Sequence, residues 1–286
     1  MTSGPLRTWS ACDFDAEALA AAKGATRISV CVPARDEEAT VGEVVGVVVA
    51  ELVERRGLVD EVLVVDDGSV DGTAGAARSA GARVLAANEV LSEYGPGTGK
   101  GEALWKSLAA CRGDLVVWCD ADLRRFRARS VTGLLGPLLT EPSVAFVKGT
   151  SQRPLAGRPG EGGRVTQLLA RPLVSLLFPH LADLHQPLTG EYAGRRDVLE
   201  QVPFASGYGV DLGLLIDIAA LVGVEAMAQV DLGDRLHRNR PVAELRTVAE
   251  DVLRTALSRA GVAMPGQTGD RPDRPPLASL AGYRRP

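Results

Sequence analysis

The chain alternates between short apolar runs, mostly β-branched, and longer stretches in which apolar residues recur at helical spacing. The short runs predict strands and the longer stretches predict amphipathic helices. Because the short runs are apolar throughout, they are typical of a mostly parallel sheet with helices on both faces, an α/β fold. The predicted strands are 28–32, 61–65, 83–85, 115–119 and 144–147, and the first helices are 38–55, 72–79 and 101–111.

The pattern changes after Lys148. Residues 151–163 are rich in Gly, Pro and Arg, which predicts a long loop. Helical patterns follow at 165–177, 210–221 and 243–260, with one strand pattern at 225–230. The resulting division is an N-terminal surface segment without a strong strand (1–25), an α/β domain (26–148), a mainly helical region (149–264) and a disordered tail (265–286).

Composition narrows the class of protein. A chain of 286 residues suits one large α/β domain, and a net charge of -4 gives no reason to expect a nucleic-acid partner. The longest apolar stretch is interrupted by Glu43 and Glu51, so no membrane span is predicted. The N-terminus lacks the pattern of a signal peptide, which makes the cytoplasm the expected location. Cys31 and Cys119 lie in apolar runs and are expected to be reduced core residues.

Polar clusters directly follow three of the predicted strands. They occupy residues 33–38, 66–69 and 120–122. Because the carboxyl ends of parallel strands share one edge of a sheet, we expect these clusters to meet in one cleft. Several carboxylates brought together repel one another unless a cation or a donor-rich ligand compensates.

The segment Asp120-Ala121-Asp122 is the most specific of the three clusters. Hard divalent ions prefer oxygen ligands, so these carboxylates can hold Mg²⁺ or Mn²⁺ while diphosphate oxygens fill other positions. The small side chain of Ala121 allows the backbone to approach a sugar. The alternative is that Asp122 caps the next helix while Asp120 is solvated. The two other acidic clusters favour the metal site.

Three further positions are candidate contacts for a nucleotide and its metal. Asp66 and Asp67 can accept hydrogen bonds from a base and a ribose, although a turn and a helix cap also explain this segment. Lys100 begins a predicted helix in a Gly-rich segment without P-loop spacing, and it can contact a diphosphate or a uracil. His237 can complete a metal shell begun by Asp122, although an isolated histidine of this kind is more often on the surface.

These residues stand in segments that resemble the actinobacterial glucosyl-3-phosphoglycerate synthases, which are retaining glycosyltransferases of the GT-A fold. The resemblance extends from about residue 28 to residue 261. It is carried by the segments VPARDEE (32–38), GKGEALW (99–105), GRVT (163–166), QPLTGEY (186–192), FASGYGV (204–210) and HRNRP (237–241).

The resemblance implies transfer of a hexose from UDP-glucose to 3-phospho-D-glycerate or a similar small anionic acceptor, with Mg²⁺ or Mn²⁺, in a homodimer. It places the uridine of the donor against Pro33, Ala34, Arg35, Glu37, Asp67 and Lys100, and the strand-end clusters add Asp66 and Ala121 as expected donor contacts. It places the metal on Asp122 and His237, and it makes Asp120, Asp122 and Asp211 the catalytic residues. It places the acceptor near Gly163, Arg164, Thr166, Glu191, Tyr208 and Asn239. In these terms 26–148 binds the nucleotide sugar and 149–264 binds the acceptor.

Two residues depart from the pattern that the resemblance implies. Asp67 stands where serine is expected, and Asp211, next to the sugar pocket, stands where glutamate is expected. These departures leave open a relative that uses another donor or acceptor in specialised metabolism. A non-catalytic nucleotide-sugar binder is disfavoured by Asp120, Asp122 and His237. A nucleotidyltransferase is disfavoured because no Gly-rich loop with Arg and Lys follows the first strand.

Overall fold

The computed structural model describes residues 6–97, 99–152, 163–234, 242–263 and 272–286. In these residues the strands are β1 (Arg7–Ser10), β2 (Ile28–Ala34), β3 (Glu61–Asp66), β4 (Arg83–Ala86), β5 (Leu115–Trp118), β6 (Phe146–Gln152), β7 (Tyr192–Arg195) and β8 (Met227–Asp234). They form one sheet in the order β1-β8-β6-β7-β5-β2-β3-β4. All neighbouring pairs are parallel except the two that involve β7.

Helices cover both faces of this sheet. They are α1 (Ala16–Ala22), α2 (Val41–Val48), α3 (Thr73–Ser79), α4 (Lys100–Ala110), α5 (Arg129–Thr140), α6 (Arg171–Leu177), α7 (Arg196–Leu199), α8 (Val210–Val222) and α9 (Val242–Arg259). A π-helical turn extends α2 over Val49–Glu54, and another precedes α6 at Thr166–Ala170.

Strand β2 shows how the apolar runs build two cores. Successive side chains of a strand point to opposite faces. Val30 and Val32 therefore pack into the layer that contains α2 and α5, whereas Cys31 packs into the layer that contains α4 and α8. The predicted two-sided, mostly parallel fold is confirmed. Cys31 and Cys119 are buried as predicted, and all four cysteines lie in described residues and form no disulfide.

Strand β7 is the main element that the sequence pattern did not predict. It runs antiparallel between β5 and β6, where Tyr192 pairs with Trp118 on one side and with Lys148 on the other. Only four residues long and containing Gly194, it gives too short a pattern to recognise. Its position matters because it brings residues 189–192 to the carboxyl end of β5.

The N-terminal residues are not merely a surface segment. Strand β1 pairs in parallel with β8 at the edge of the sheet, and Leu6, Ala11 and Leu19 are buried. The strand was missed because its sequence, RTWS, is polar at three of four positions, as edge strands often are. Ala11 packs against Gly133 of α5, where an added Cβ would lie 2.7 Å from the Ala11 side chain.

The prediction of a disordered tail is wrong for residues 272–286, which we call the C-terminal strap. Arg274 forms an antiparallel bridge with Phe204, Leu277 is fully buried, and Arg285 pairs with Glu200. Composition suggested disorder because the strap has few apolar residues. Ion pairs and backbone hydrogen bonds anchor it instead. Residues 264–271 lie outside the described residues.

Within the described residues, no helix combines the length and the apolar character that crossing a membrane requires.

Candidate active site

The strand-end clusters meet as the sequence predicts. Strands β5, β2 and β3 are adjacent and parallel, so residues 33–38, 66–69 and 120–122 follow them at one edge. The loops there are tied together by side chains. The amide of Asp36 donates to the Ser69 hydroxyl at 3.0 Å, and the amide of Glu37 donates to the Thr73 hydroxyl at 2.8 Å. Ala34, at the end of β2, is buried.

Three of the predicted site residues form a charged centre, which we call the Lys100 centre. The Lys100 Nζ lies 3.1 Å from Oδ1 of Asp120 and 3.0 Å from Oδ2 of Asp211. The three side chains are 13%, 23% and 5% exposed, respectively. Lys100 was predicted as a diphosphate or uracil contact. Here its ammonium group bridges two of the predicted catalytic carboxylates.

Two residues at this centre were not predicted from the sequence. The Tyr192 hydroxyl donates to Oδ1 of Asp211 at 3.2 Å, and Lys148 Nζ lies 3.5 Å from the Asp211 carbonyl oxygen. Lys148 also lies 4.3 Å from the centroid of the Tyr192 ring. Lys148 and Tyr192 are opposite each other in the pairing of β6 and β7. They were not identified because the sequence pattern did not predict β7.

Electrostatics fix the protonation states at this centre. Burial alone would lower the pKa of Lys100, but the carboxylates of Asp120 and Asp211 raise it above its usual value. Burial raises the pKa of Tyr192, and the charges of Asp211 and Asp120 raise it further. Lys100 is therefore an ammonium and Tyr192 a neutral hydrogen-bond donor. Both oxygens of Asp211 receive a donor.

Asp67 links the end of β3 to the loop that precedes Lys100. Its Oδ2 accepts the Gly99 amide at 2.8 Å and lies 3.6 Å from Arg35 Nη1. Burial raises the pKa of Asp67 even though the Gly99 amide and Arg35 oppose the shift. Asp66 accepts hydrogen bonds from the amide and hydroxyl of Ser69, which is a turn arrangement.

The raised pKa of Asp67 leads to a stability prediction. Because the folded protein holds this proton more tightly than the unfolded chain, stability is lost as pH rises from the ordinary to the raised value. Asp67→Asn removes the buried charge and keeps an acceptor for Gly99. We expect its Tm to exceed that of the wild type by a few degrees at pH 7, and the difference to vanish near pH 3.5, below the ordinary pKa of about 3.9. A lower Tm for the variant at pH 7 would show that the Arg35 pair outweighs burial.

Gly190 allows the polypeptide to approach Asp120 closely. A Cβ on Gly190 would overlap the Asp120 carboxylate. The next residue, Glu191, is fully buried, and its carbonyl oxygen accepts the Gly149 amide at 2.9 Å. The predicted substrate residue Glu191 therefore lies beside the strand-end acids, whereas the requirement for glycine at 190 was not foreseen.

The strand-end acids have the chemistry of a site for a divalent cation. Asp120 and Asp122 supply carboxylate oxygens, the ligands that Mg²⁺ and Mn²⁺ prefer. Within the described ranges, no three His, Cys, Asp or Glu side chains are grouped as a complete metal site. The predicted ligand His237 and the predicted acceptor residue Asn239 lie outside the described residues.

The remaining acceptor residues are described at two places. Gly163, Arg164 and Thr166 begin the helical segment that leads into α6, where the Gly163 carbonyl accepts the amide of Gln167. Arg164 is half-buried and Thr166 is buried. A Cβ added to Gly99 would lie 3.4 Å from the Cα atom of Gly207. Tyr208, which follows Gly207 in the chain, is therefore close to the residue that precedes Lys100.

Comparison with known proteins identifies the family of this chain. Residues 29–159 match the family model for glycosyl transferase family 2. A glucosyl-3-phosphoglycerate synthase of Mycolicibacterium paratuberculosis is 49% identical over 264 residues, which cover 90% of this chain and 79% of that protein. The chain belongs to the glucosyl-3-phosphoglycerate synthase family. The predicted family is therefore confirmed, and the chain is a glycosyltransferase.

Two solved structures are similar to this chain over 96% of its length. The Mycobacterium tuberculosis glucosyl-3-phosphoglycerate synthase in complex with Mn²⁺, UDP and glucosyl-3-phosphoglycerate has a TM-score of 0.87 and 44% identity, over 96% of this chain and 99% of that chain. A mannosyl-3-phosphoglycerate synthase from Rubrobacter xylanophilus has a TM-score of 0.89 and 37% identity, over 96% and 97%. The predicted fold of the glucosyl-3-phosphoglycerate synthase family is confirmed.

Proposed function

We propose that the chain transfers glucose from UDP-glucose to 3-phospho-D-glycerate with retention of anomeric configuration. The observation that carries the proposal is the Lys100 centre, at the sheet edge where Asp120 and Asp122 follow β5. The M. tuberculosis relative, which has a TM-score of 0.86 with this chain, is solved with Mn²⁺, UDP-glucose and phosphoglyceric acid.

Asp122 and His237 would hold a Mg²⁺ or Mn²⁺ ion, and Asp120 is the second carboxylate of the same Asp120-Ala121-Asp122 segment. When bound, this ion neutralises negative charge on the departing diphosphate. Side chains of the protein hold the carboxylates of the site in position. Lys100 keeps Asp120 and Asp211 in place, and Tyr192 fixes the second oxygen of Asp211.

The contacts of Asp211 bear on how the configuration is retained. An attacking carboxylate needs an oxygen that is available to the sugar, but Oδ2 of Asp211 is held by Lys100 and Oδ1 by Tyr192. We therefore favour substitution on one face of the sugar, in which an oxygen of the leaving diphosphate takes the acceptor's proton. A covalent glycosyl-enzyme trapped with a slow acceptor would contradict this mechanism.

The direct test is incubation of the protein with UDP-glucose, MgCl₂ and 3-phospho-D-glycerate. We expect release of UDP that depends on the acceptor and stops with EDTA, and a product whose anomeric proton coupling matches that of the donor. Absence of UDP release from UDP-glucose would overturn the proposal, and absence of nucleoside diphosphate release from every sugar donor would leave a non-catalytic binder.

A second candidate is the same reaction with another sugar. It is favoured by the structural similarity to the Rubrobacter xylanophilus mannosyl-3-phosphoglycerate synthase and by aspartate at position 211, next to the predicted sugar pocket. Thermal unfolding with UDP-glucose and GDP-mannose separates the two donors. At equal concentrations, the donor with the lower Kd stabilises the folded protein more and gives the larger shift in Tm. A donor present at a hundred times its Kd stabilises by about 2.7 kcal/mol.

Arg164→Ala tests the acceptor assignment. The guanidinium group is expected to pair with the phosphate or carboxylate of the acceptor, and losing a charged hydrogen bond costs about 1.5–3 kcal/mol. We expect the acceptor KM to rise by about ten- to a hundredfold, with the Kd for UDP measured by calorimetry unchanged.

Arg171→Ala is the matched control for this substitution. Arg171 is an exposed arginine further along the same helical segment, and its Nη1 lies 3.5 Å from Oε1 of Gln167. It should leave both constants at their wild-type values. Weaker UDP binding in Arg164→Ala with an intact acceptor KM would refute the assignment.

We also propose that the protein is a cytoplasmic homodimer. Leu168 and Leu176, which are 80% and 79% exposed, offer apolar surface on one helical segment for contact between two copies. The absence of a disulfide among the four cysteines fits a reducing compartment. Light scattering on the purified protein gives the oligomeric state, and a monomer at micromolar concentration would contradict the dimer.

A further inference from the structure

The C-terminal strap crosses the beginning of α4, at Lys100, close to the loop that ends at Gly99. Arg274 contacts both elements. Its Nε and Nη2 donate to the Glu102 carboxylate at 2.5 and 3.0 Å, and Nη1 donates to the Tyr94 carbonyl oxygen at 2.7 Å. Nη2 also donates to the Gly95 carbonyl oxygen at 3.2 Å. One planar guanidinium group thus joins the first turn of the helix to the start of the loop.

The Arg274–Glu102 pair is built into the protein rather than resting on its surface. The Glu102 side chain is 4% exposed and also pairs with Lys106 at 2.9 Å. The pair lies directly on Gly97, where an added Cβ would be 2.6 Å from Arg274 Nη2. Arg274 and Glu102 therefore hold the loop at residues 94, 95 and 97. These residues shortly precede Gly99, whose amide donates to Asp67.

The backbone of Arg274 extends this connection to the other side of the site. Its amide donates to the Phe204 carbonyl at 2.8 Å and its carbonyl accepts the Phe204 amide at 2.9 Å. The segment that begins at Phe204 continues through Gly207, beside Gly99, to Asp211. Arg274 consequently touches the two segments that deliver Lys100 and Asp211 to the Lys100 centre.

We propose that Arg274 is a positioning residue for donor binding, which holds residues 94–97 and the first turn of α4 so that Asp67 and Lys100 face the nucleotide. This inference rests on the proposed function, because it takes the donor to be a uridine diphosphate sugar. A loop that is correctly placed for only part of the time lowers the apparent affinity by that fraction.

The test compares Arg274→Ala and Arg274→Lys with the wild type. Alanine leaves Glu102 with Lys106 but releases the two carbonyl oxygens, so we expect the Kd for UDP with Mg²⁺ and the KM for UDP-glucose to rise about tenfold. The kcat at saturating donor and the KM for 3-phospho-D-glycerate should stay within about twofold. Lysine keeps the charge at Glu102 but cannot reproduce the fork, so it should restore only part of the affinity.

Arg285→Ala is the matched control, because Arg285 anchors the same strap through Glu200 at 2.6 Å rather than through residues 94–97. It should leave UDP binding unchanged. If it weakens UDP binding as much as Arg274→Ala does, the strap acts only as an anchor and the proposal is wrong. If Arg274→Ala does not fold, wild-type UDP affinity in Arg274→Lys overturns it.

The wild type separates this proposal from the proposed function. If it binds UDP with Mg²⁺ but Arg274→Ala binds it equally well, only the role of Arg274 is refuted. If the wild type neither binds UDP nor releases it from UDP-glucose, the proposed donor is wrong and the inference falls with it.

Discussion

Replacing Asp122 with alanine is expected to lower kcat by about a hundredfold or more. The substitution removes a carboxylate that we propose holds the divalent ion, so the charge that develops on the leaving diphosphate is no longer neutralised. Stabilisation of developing charge is usually the largest single contribution to catalysis. The measurement is the initial rate of UDP release, with Mg²⁺ raised until the rate no longer increases.

Asp114→Asn is the control for this experiment. Asp114 precedes the same strand, β5, at the opposite end, and its carboxylate accepts the Arg27 amide at 2.9 Å. Asparagine removes the charge and keeps the acceptor, so kcat should change by less than about threefold. The metal assignment is refuted if Asp122→Ala retains wild-type turnover, or if Asp114→Asn loses as much.

Lys100→Met should produce the largest loss of stability. Methionine fills the space of the lysine stem but leaves the Asp211 side chain, which is 5% exposed, without its cation. An uncompensated buried charge costs about 3–5 kcal/mol, and we expect the lower end because Asp120 is 23% exposed. Turnover should also fall by orders of magnitude. Urea unfolding measures the stability change, and UDP release measures the activity.

Two further variants separate charge from packing. In Lys100→Met/Asp211→Asn the stranded charge is gone, so much of the lost stability should return while activity stays low. Lys23→Met removes a lysine that pairs with one carboxylate, Asp60, which is 36% exposed, and that also donates to the Leu58 carbonyl oxygen, and it should cost only about 1 kcal/mol. If Lys23→Met and Lys100→Met lower the free energy of unfolding equally, the Lys100 centre stabilises the fold no more than a partly exposed ion pair does.

The sequence predicted the parallel sheet from its apolar runs, and it predicted the acidic edge of the site from the polar residues that end those runs. Residues such as Val30, Cys31 and Val32 are apolar because both faces of β2 are buried, and this pattern identifies a parallel sheet without knowledge of any contact. The topology then places the acids that follow β2, β3 and β5 at one edge. These inferences needed only local patterns and one general rule.

The pairing of Lys100 with Asp211 could not be predicted in the same way. The two residues are 111 positions apart, and the elements packed around them include the short strand β7, whose Tyr192 donates to Asp211, and the C-terminal strap, whose Arg274 pairs with Glu102. A four-residue strand gives no periodicity, and the strap is held by ion pairs such as Arg274 with Glu102 rather than by apolar burial. Charge pairs between distant segments leave no signature in a single sequence.

The order of strands in the sheet also sets an order of events during synthesis. Strands β2 to β5 are neighbours in the sheet, in the order β5-β2-β3-β4, but β5 receives its other neighbour, β7, only after residue 192 has been made. At about 5–20 residues per second the ribosome needs about 4–15 s to add the 74 residues from 119 to 192. Through that interval β5 is an open sheet edge that can pair with another chain. The interval is longer for β1, because its neighbour, β8, begins only at residue 227.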